Sequence, residues 1–427
     1  MRSRNWLVYT IIFIFSAIYV FKHDKYTKRI EIINGYCENF SVERGQDLEF
    51  YISPDLTHKR GVICIYNSAD SIIDSLILNL QIIKSIKDSL THEHGFTLSE
   101  KYKYNTSKLK GGIYFIGNRI PFIVKEPSLK NAITIVFPFA NFHTWSNQGG
   151  KSFSVGNSTN GIAAKRLSLK RNPYLSNNPK AFVNWIDSVM KGTSINIISD
   201  IDLETNTNIT NSKLLVFYGN MGFGSKKQNL NLIKFVENGG NILSINSRFL
   251  NSEMTINPTN KTIENISKLI TIKFKPGDFT ELKVLNPFWQ TFGCDYRILY
   301  DVDNLKKSLG GYAIIKPQHK IFNSLSTNFI PFENSYGTAL PVKDINFNQL
   351  PQADNSQTKF YSFEILAYDY ATLTEKQSIT GIFEIKRTVN SGRIIVIGNE
   401  KWGFEEQLNK EPIKTITINC INYLYKN

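Results

Sequence analysis

The sequence has few cysteines, and their arrangement excludes the common cysteine-based sites. There are four in 427 residues, with no Cys-x-x-Cys pair and no histidine at the spacing of a zinc site. Cys37 and Cys64 fall within one short β-rich stretch, where they either face each other or remain buried free thiols. Neither a disulfide framework nor a structural zinc motif therefore defines the fold.

The chain also lacks a basic run interleaved with aromatic residues, although its formal net charge is +14. A nucleic-acid groove needs that interleaving, so the sequence predicts no nucleic-acid partner. Scattered lysines are typical of a solvated surface, and the alternative is attraction to anionic lipid or acidic polysaccharide. The hydrophobic fraction of 41% is enough for a folded core.

One long uncharged stretch is present, WLVYTIIFIFSAIYVF, from Trp6 to Phe21. Arginines precede it, lysines follow it, and aromatic residues near its ends are typical of membrane interfaces. No small-x-small cleavage site follows, so residues 1–28 are predicted to form an uncleaved signal-anchor, a transmembrane helix. We therefore expect a single-pass membrane protein with its body on the extracytoplasmic side.

Short strands separated by turn signals predict a small β-sandwich of immunoglobulin type over residues 29–127. Alternation around Phe50 indicates one strand, and RGVICIYNSA indicates another. SLILNLQIIKS favours a third strand, although its spacing also suits a helix. KLKGGIYFIGNRIPFIVKEP predicts two final strands.

The pattern changes afterwards, and residues 128–427 are predicted to form an α/β domain. AITIVFPFAN, INIISDIDL and SKLLVFYGN are apolar strands, and amphipathic helices alternate with them. Ser225 is the predicted N-cap of one helix, and a glycine pair ends it. This order predicts a mainly parallel sheet covered by helices, with β-rich insertions at about 250–380.

Ligands bind at the carboxyl ends of strands in open α/β sheets, so the loops there hold the candidate site. His143 and Asp200 follow two predicted strands, and Glu400 follows the C-terminal one. His143 is a candidate general base or ligand, with a structural histidine as the alternative. Asp200, with Asp202 and Glu204, offers oxygens for a cation, and the alternative is that Asp200 or Asp202 opens a turn as its cap.

The loop GNMGFGS joins a strand to a helix through a tight glycine turn, the geometry of a nucleophile elbow. This pocket loop holds Asn220, Met221, Gly222 and Phe223, where covalent catalysis needs a cysteine or serine. No Lys-Ser/Thr pair follows in P-loop register. The loop is therefore predicted to carry neither a nucleophile nor a phosphate site.

An ordered set of short motifs resembles the large (beta) subunit of the N,N-dimethylformamidase family. The pieces are GYCENFSVERGQDLEFYIS, LKGGIYFIGNRIPFIV, NQGGKSF, RNPY, SDIDLE and SGRIIVIGNEKWGF. The resemblance implies an immunoglobulin-like module before a domain with the class I glutamine amidotransferase-like fold. It also implies hydrolysis of small amides at one iron, held by two tyrosines and one glutamate.

The family's metal positions fall on Trp145, Tyr174 and Gly222 of this sequence. One tyrosine is thus retained, whereas an indole and a glycine replace the other two ligands. A single phenolate does not hold iron against water, so no cofactor is expected unless His143 or Glu400 substitutes.

Two functions follow from this resemblance. The first is a membrane-anchored pseudoenzyme, a binding or scaffold protein for a glycan, a small amide or a protein partner. The alternative is a hydrolase of an amide C–N bond with a rebuilt site of His143, Tyr174, Glu400 and Asp200.

Overall fold

The predicted membrane anchor is not found in the structure, a computed structural model. Among the described residues, no helix is long and apolar enough to cross a membrane. The stretch from Trp6 to Phe21 lies outside them. This finding contradicts the predicted single-pass anchor and the predicted membrane location. The structure describes residues 29, 31–54, 60–79, 90–98, 100–126, 128–175, 179–205, 209–219, 221–245, 249–266, 269–270, 283–284, 310–332, 340–341, 360–373, 376–399 and 401–426.

The N-terminal strands form a three-stranded sheet, β1-β3-β6, and a five-stranded sheet, β2-β8-β7-β4-β5. The two sheets share one apolar core, in which the rings of Tyr104 and Phe122 meet edge-on with centroids 6.4 Å apart. A one-turn helix, α1 (Thr91–His94), precedes β6. The strands are β1 (Ile32–Cys37), β2 (Ser41–Glu43), β3 (Asp47–Pro54), β4 (Arg60–Asn67), β5 (Ile72–Asn79), β6 (Lys101–Asn105), β7 (Gly112–Ile116) and β8 (Ile120–Lys125).

The rest of the chain is built on a ten-stranded sheet with the order β11-β9-β12-β14-β24-β23-β22-β19-β20, in which β21 also pairs with β23. Two smaller sheets have the orders β10-β16-β15-β13 and β17-β18. The strands are β9 (Ala132–Phe137), β10 (Arg166–Ser168), β11 (Ile195–Ser199), β12 (Ser212–Tyr218), β13 (Met221–Gly224), β14 (Asn241–Ile245), β15 (Phe249–Asn257), β16 (Thr262–Asn265), β17 (Leu269–Ile270), β18 (Lys283–Val284), β19 (Gly311–Ile314), β20 (Phe329–Pro331), β21 (Leu340–Pro341), β22 (Ser362–Leu373), β23 (Lys376–Lys386) and β24 (Arg393–Ile397).

The large sheet is mixed, so the prediction of a mainly parallel sheet is wrong. Strands β11, β9, β12, β14 and β24 run parallel to one another. From β24 onward every ladder is antiparallel, through β23, β22, β19 and β20. The cause is the hairpin of β22 and β23, because strands joined without a crossover run in opposite directions.

Helices cover the parallel part of the sheet on both faces. On one face, α3 (Pro179–Val189) and α6 (Ile413–Lys426) pack against alternate residues of β9 and β14, and α4 (Lys226–Glu237) packs on the other face. The predicted N-cap Ser225 is confirmed, because its side chain and that of Gln228 form a capping box at the start of α4. The remaining helices are α2 (Phe139–Trp145), α3 (Pro179–Val189), α4 (Lys226–Glu237), α5 (Glu405–Leu408) and α6 (Ile413–Lys426), with 3-10 turns at Thr106–Lys108, Ile201–Glu204 and Lys320–Phe322.

Polar contacts join the N-terminal sheets to the large sheet. Lys125 at the end of β8 donates to the Asp202 carboxylate at 2.8 Å, and Ser41 of β2 donates to its other oxygen at 2.7 Å. The Lys125 and Asp202 side chains are only 13% and 11% exposed. The Lys180 ammonium of α3 lies 4.1 Å from the ring centroid of Phe115 in β7. These contacts position β11 and the loop after it against the N-terminal module.

Candidate functional site

The loops after β9, β11 and β12 meet around α2, at the carboxyl ends of the parallel strands. The Asn141 side chain is the link between them, since it bonds both to Asp200 after β11 and to Phe223 after β12. This is the sheet edge at which the sequence predicted the site. The candidate functional site is therefore the group of residues in contact with α2.

Asp200 is fully buried, and both oxygens of its carboxylate accept hydrogen bonds from α2. One oxygen accepts from the main-chain N–H of Ala140 at 2.8 Å. The other accepts from the main-chain N–H and the side-chain amide of Asn141, at 3.1 and 3.0 Å. Burial raises the pKa of Asp200 to about 6, although these hydrogen bonds oppose the rise. The carboxylate satisfies the first amides of α2, which is a capping role rather than a cation site.

The pocket loop is held by main-chain contacts. Asn141 accepts from the Phe223 N–H at 2.8 Å and donates to its carbonyl oxygen at 3.0 Å. Met221 is fully buried, and Gly222 lies beside it within β13. The Phe223 ring packs against Phe153, with centroids 5.3 Å apart. Asn220 lies outside the described residues.

His143 is fully buried, and both of its ring nitrogens face main-chain oxygens. Nδ1 lies 3.0 Å from the carbonyl oxygen of Phe139, and Nε2 lies 3.0 Å from that of Arg171. Burial and, next, the Arg171 guanidinium lower the pKa of His143 to about 4. A general base must reach a substrate proton, and neither nitrogen is open to one.

Arg171 is a buried cation that the sequence did not single out. Its guanidinium donates to the carbonyl oxygens of Ser168 at 2.9 Å, Gln148 at 2.6 Å and His143 at 2.9 Å. Within the described part of the chain, no carboxylate forms an ion pair with it, and burial lowers its pKa to about 9. It fixes the loop after α2, and its only sequence signal was its place in the RNPY motif.

The three family metal positions lie around α2. Trp145 is the last residue of this helix, and the Tyr174 N–H donates to the carbonyl oxygen of Phe142 at 3.1 Å. Gly222 precedes the residue that Asn141 binds. Tyr174 points outward, with 54% of its surface exposed. Glu400 lies outside the described residues, so its convergence with His143 stays a prediction.

The arrangement is rich in structural hydrogen bonds. Over the residues that the structure describes, no group of three His, Cys, Asp or Glu side chains is placed to hold a metal ion. Three large side chains of the segment that follows α2 face solvent, since Val155, Ile162 and Tyr174 are each more than half exposed, and the polar Asn157 and Asn160 are exposed beside them in sequence. Their loops are tied to α2, since Asn157 donates to the carbonyl oxygen of Trp145 at 3.4 Å.

Known proteins give no family for this chain. No family model matches it, and no curated protein matches its sequence. Solved structures with some similarity include the N-terminal domain of mmIFT52, with a TM-score of 0.32 and 12% identity over 58% of this chain and 91% of that one. A ThuA-like protein from Bacteroides uniformis reaches 0.35 with 8% identity, over 70% and 92% of the two chains. A β-galactosidase from Rahnella sp. R3 also reaches 0.35 with 8% identity, over 69% and 31%. These similarities are too low to support an argument about function.

Proposed function

We propose that this protein is an iron-free member of the N,N-dimethylformamidase-like family that binds a ligand through the face around α2. The observation that supports the proposal is how the ionisable side chains there are used. Asp200 caps α2, and His143 is enclosed between two carbonyl oxygens. These two groups hold the loops in place, and neither of them is directed at a substrate.

The rebuilt hydrolase is the weaker proposal for the same reason. Catalysis of amide hydrolysis needs a base near neutral pKa and in contact with the attacking water. Burial lowers the pKa of His143 to about 4 and closes off both its nitrogens. Tyr174 is exposed, but its own contact with α2 is made by its main chain.

A neutral glycan is the ligand class that this face fits best. An exposed tyrosine ring packs against the apolar face of a sugar, and its hydroxyl reaches a sugar hydroxyl. Val155 and Ile162, in the segment between α2 and Tyr174, have exposed apolar side chains, and the exposed Asn157 amide is a hydrogen-bonding group.

Two measurements test the proposal. The purified chain is incubated with Fe(II), desalted and analysed for iron and for hydrolysis of N,N-dimethylformamide. We expect iron well below one atom per chain and no hydrolysis. One iron per chain with a tyrosinate-to-iron charge-transfer band would show that the family's metal site persists.

The binding face is tested separately on a panel of neutral oligosaccharides. The Tyr174→Ala variant is expected to lose binding, because it removes a ring that is 54% exposed. Tyr361→Ala is the matched control, since Tyr361 is 61% exposed and lies in sequence just before β22. Equal binding by the two variants would reject a role for the face around α2.

A further inference from the structure

We propose that a groove at the amino ends of the parallel strands binds a small organic anion with a flat ring, as a nucleoside monophosphate has. The groove has a volume of about 510 Å³. Small-molecule sites commonly have volumes of about 300–1,000 Å³. This proposal does not rest on the function proposed above, because the groove and α2 lie at opposite ends of the same strands.

The position of the groove follows from its lining. Asn131 directly precedes β9, Ser212 begins β12, and Gly240 directly precedes β14. These three strands are neighbours in the large sheet. The last turn of α6, with Tyr425 and Lys426, forms the opposite wall. The groove is thus formed by the sheet edge and by the ends of two helices that pack on its two faces.

The charge of the lining favours an anion. Lys213 and Lys426 line the groove, and none of the lining residues that the structure describes carries a carboxylate side chain. Within the described residues, neither lysine forms an ion pair. The nearest acid in sequence, Glu237, is paired instead with Arg387 at 3.7 Å.

The helix ends do not cancel this charge. A helix C-terminus carries about half a negative charge, so the end of α6 offsets only part of two ammonium groups. At the end of α4, the N–H groups of Asn238, Gly239 and Gly240 donate to the last helical carbonyls. That end is therefore already satisfied, and the groove keeps a net positive charge.

The ring requirement comes from Tyr425. The Lys213 ammonium lies 5.8 Å from the centroid of the Tyr425 ring. A ligand whose anionic group pairs with Lys213 therefore brings an attached flat ring within reach of the phenol. The side chains of Asn131 and Asn238 are exposed at the same groove and offer amide groups to polar atoms of that ring.

Calorimetric titration of the full chain with AMP at low ionic strength tests the proposal. We expect saturable binding of one AMP per chain. Adenosine lacks the anion and inorganic phosphate lacks the ring, so both are expected to bind more weakly. Binding of phosphate as tight as that of AMP would overturn the role given to Tyr425.

Three variants locate the site. Lys213→Ala is expected to raise the Kd for AMP about two- to fivefold, the usual effect of an exposed charge pair. Tyr425→Ala is expected to raise it about tenfold through loss of stacking. Lys234→Ala is the matched control, because Lys234 is an exposed lysine of α4 outside the lining and its loss changes net charge equally.

The results for these variants distinguish a specific AMP-binding site from general attraction of AMP to a positively charged protein. Equal effects of Lys213→Ala and Lys234→Ala would overturn the proposal, and so would the absence of saturable AMP binding. If Tyr425→Ala destabilises the end of α6, the charge reversal Lys213→Glu provides the second test. The Lys213 side chain is partly exposed. Lys213→Glu is therefore expected to abolish AMP binding while the midpoint of thermal unfolding stays near that of the wild type.

Discussion

Asn141 and Asp200 are joined twice, because the main-chain N–H and the side-chain amide of Asn141 both donate to one carboxylate oxygen of Asp200. The same amide group of Asn141 also holds the Phe223 main chain. One side chain thus connects loops that follow three different strands. The arrangement of the face around α2 depends on it.

Asn141→Ala is expected to lower the free energy of unfolding by about 3 kcal/mol, because it leaves several buried polar groups without partners. Urea denaturation followed by circular dichroism measures the change. Asn157→Ala is the control and is expected to change stability by less than about 0.5 kcal/mol, since Asn157 is exposed. A loss for Asn141→Ala no larger than the control would contradict the linking role.

Asp200 should give the protein an unusual dependence of stability on pH. Its folded pKa is about 6, and an unfolded aspartate has a pKa of about 3.9. Between these values the folded state holds a proton that the unfolded state has lost, so stability falls as pH rises. Compared with Asp200→Asn, the wild type should lose about 2–3 kcal/mol across this window. Urea unfolding at several pH values tests this, and a constant difference between the two proteins would contradict it.

Arg171 cannot be replaced by lysine at this site. Lysine has three donors on one atom, whereas the guanidinium reaches carbonyl oxygens on several sides. Arg171→Lys is expected to cost about 3 kcal/mol or more of unfolding free energy, with carbonyls left unpaired in the interior. Arg166→Lys is the control, because its ion pair with Glu264 is exposed. A comparable loss of unfolding free energy in both variants would show that the burial of the Arg171 guanidinium does not determine the cost of its replacement.

The contact of Lys125 with Asp202 should couple the N-terminal sheets to the rest of the chain. A double-mutant cycle with Lys125→Met and Asp202→Asn is expected to give a coupling energy of about 1–3 kcal/mol, as for contacting residues in one network. The exposed pair of Lys316 and Glu364 serves as control and should give less than about 1 kcal/mol. Additive effects at Lys125 and Asp202 would show that the pair does not stabilise this interface.

The buried carboxylate of Glu384 is expected to make the free energy of unfolding fall at acidic pH. Burial alone would raise the pKa of Glu384, but hydrogen bonds from His319 and Arg393 outweigh burial and hold it below its ordinary value. The stabilisation is therefore present above about pH 4.3, the value of an unfolded glutamate, and is lost as pH falls through the lower folded pKa. The stability gap between the wild type and Glu384→Gln should narrow in that range. Glu405→Gln, at an exposed glutamate, should show no such change.

Local patterns predicted the parts of the fold that local physics determines. Strand β9 has five apolar residues besides Thr134 because both of its faces are buried, and Ser225 caps α4 through contacts three residues away. The position of the candidate loops followed from the same reasoning, since parallel strands end at one edge.

Local sequence patterns could not predict contacts between residues that lie far apart in the sequence. Asp200 caps α2 across 60 residues, and no local pattern identifies a helix that distant in sequence as its partner. The antiparallel pairing of β22 with β23 was also missed, because these long strands lack the turn residues that mark a hairpin. Arg171 carried no pattern that distinguishes a buried guanidinium from a surface one.

Strand β24 has a consequence for how the chain is made. It lies between β14 and β23 in the large sheet, and Arg393 donates to the side chain of Asn241, 152 residues earlier. Until the ribosome has released β24, the nascent chain keeps two unpaired strand edges within what becomes one sheet. Such edges pair readily with other chains, so this interval is when the protein depends most on chaperones.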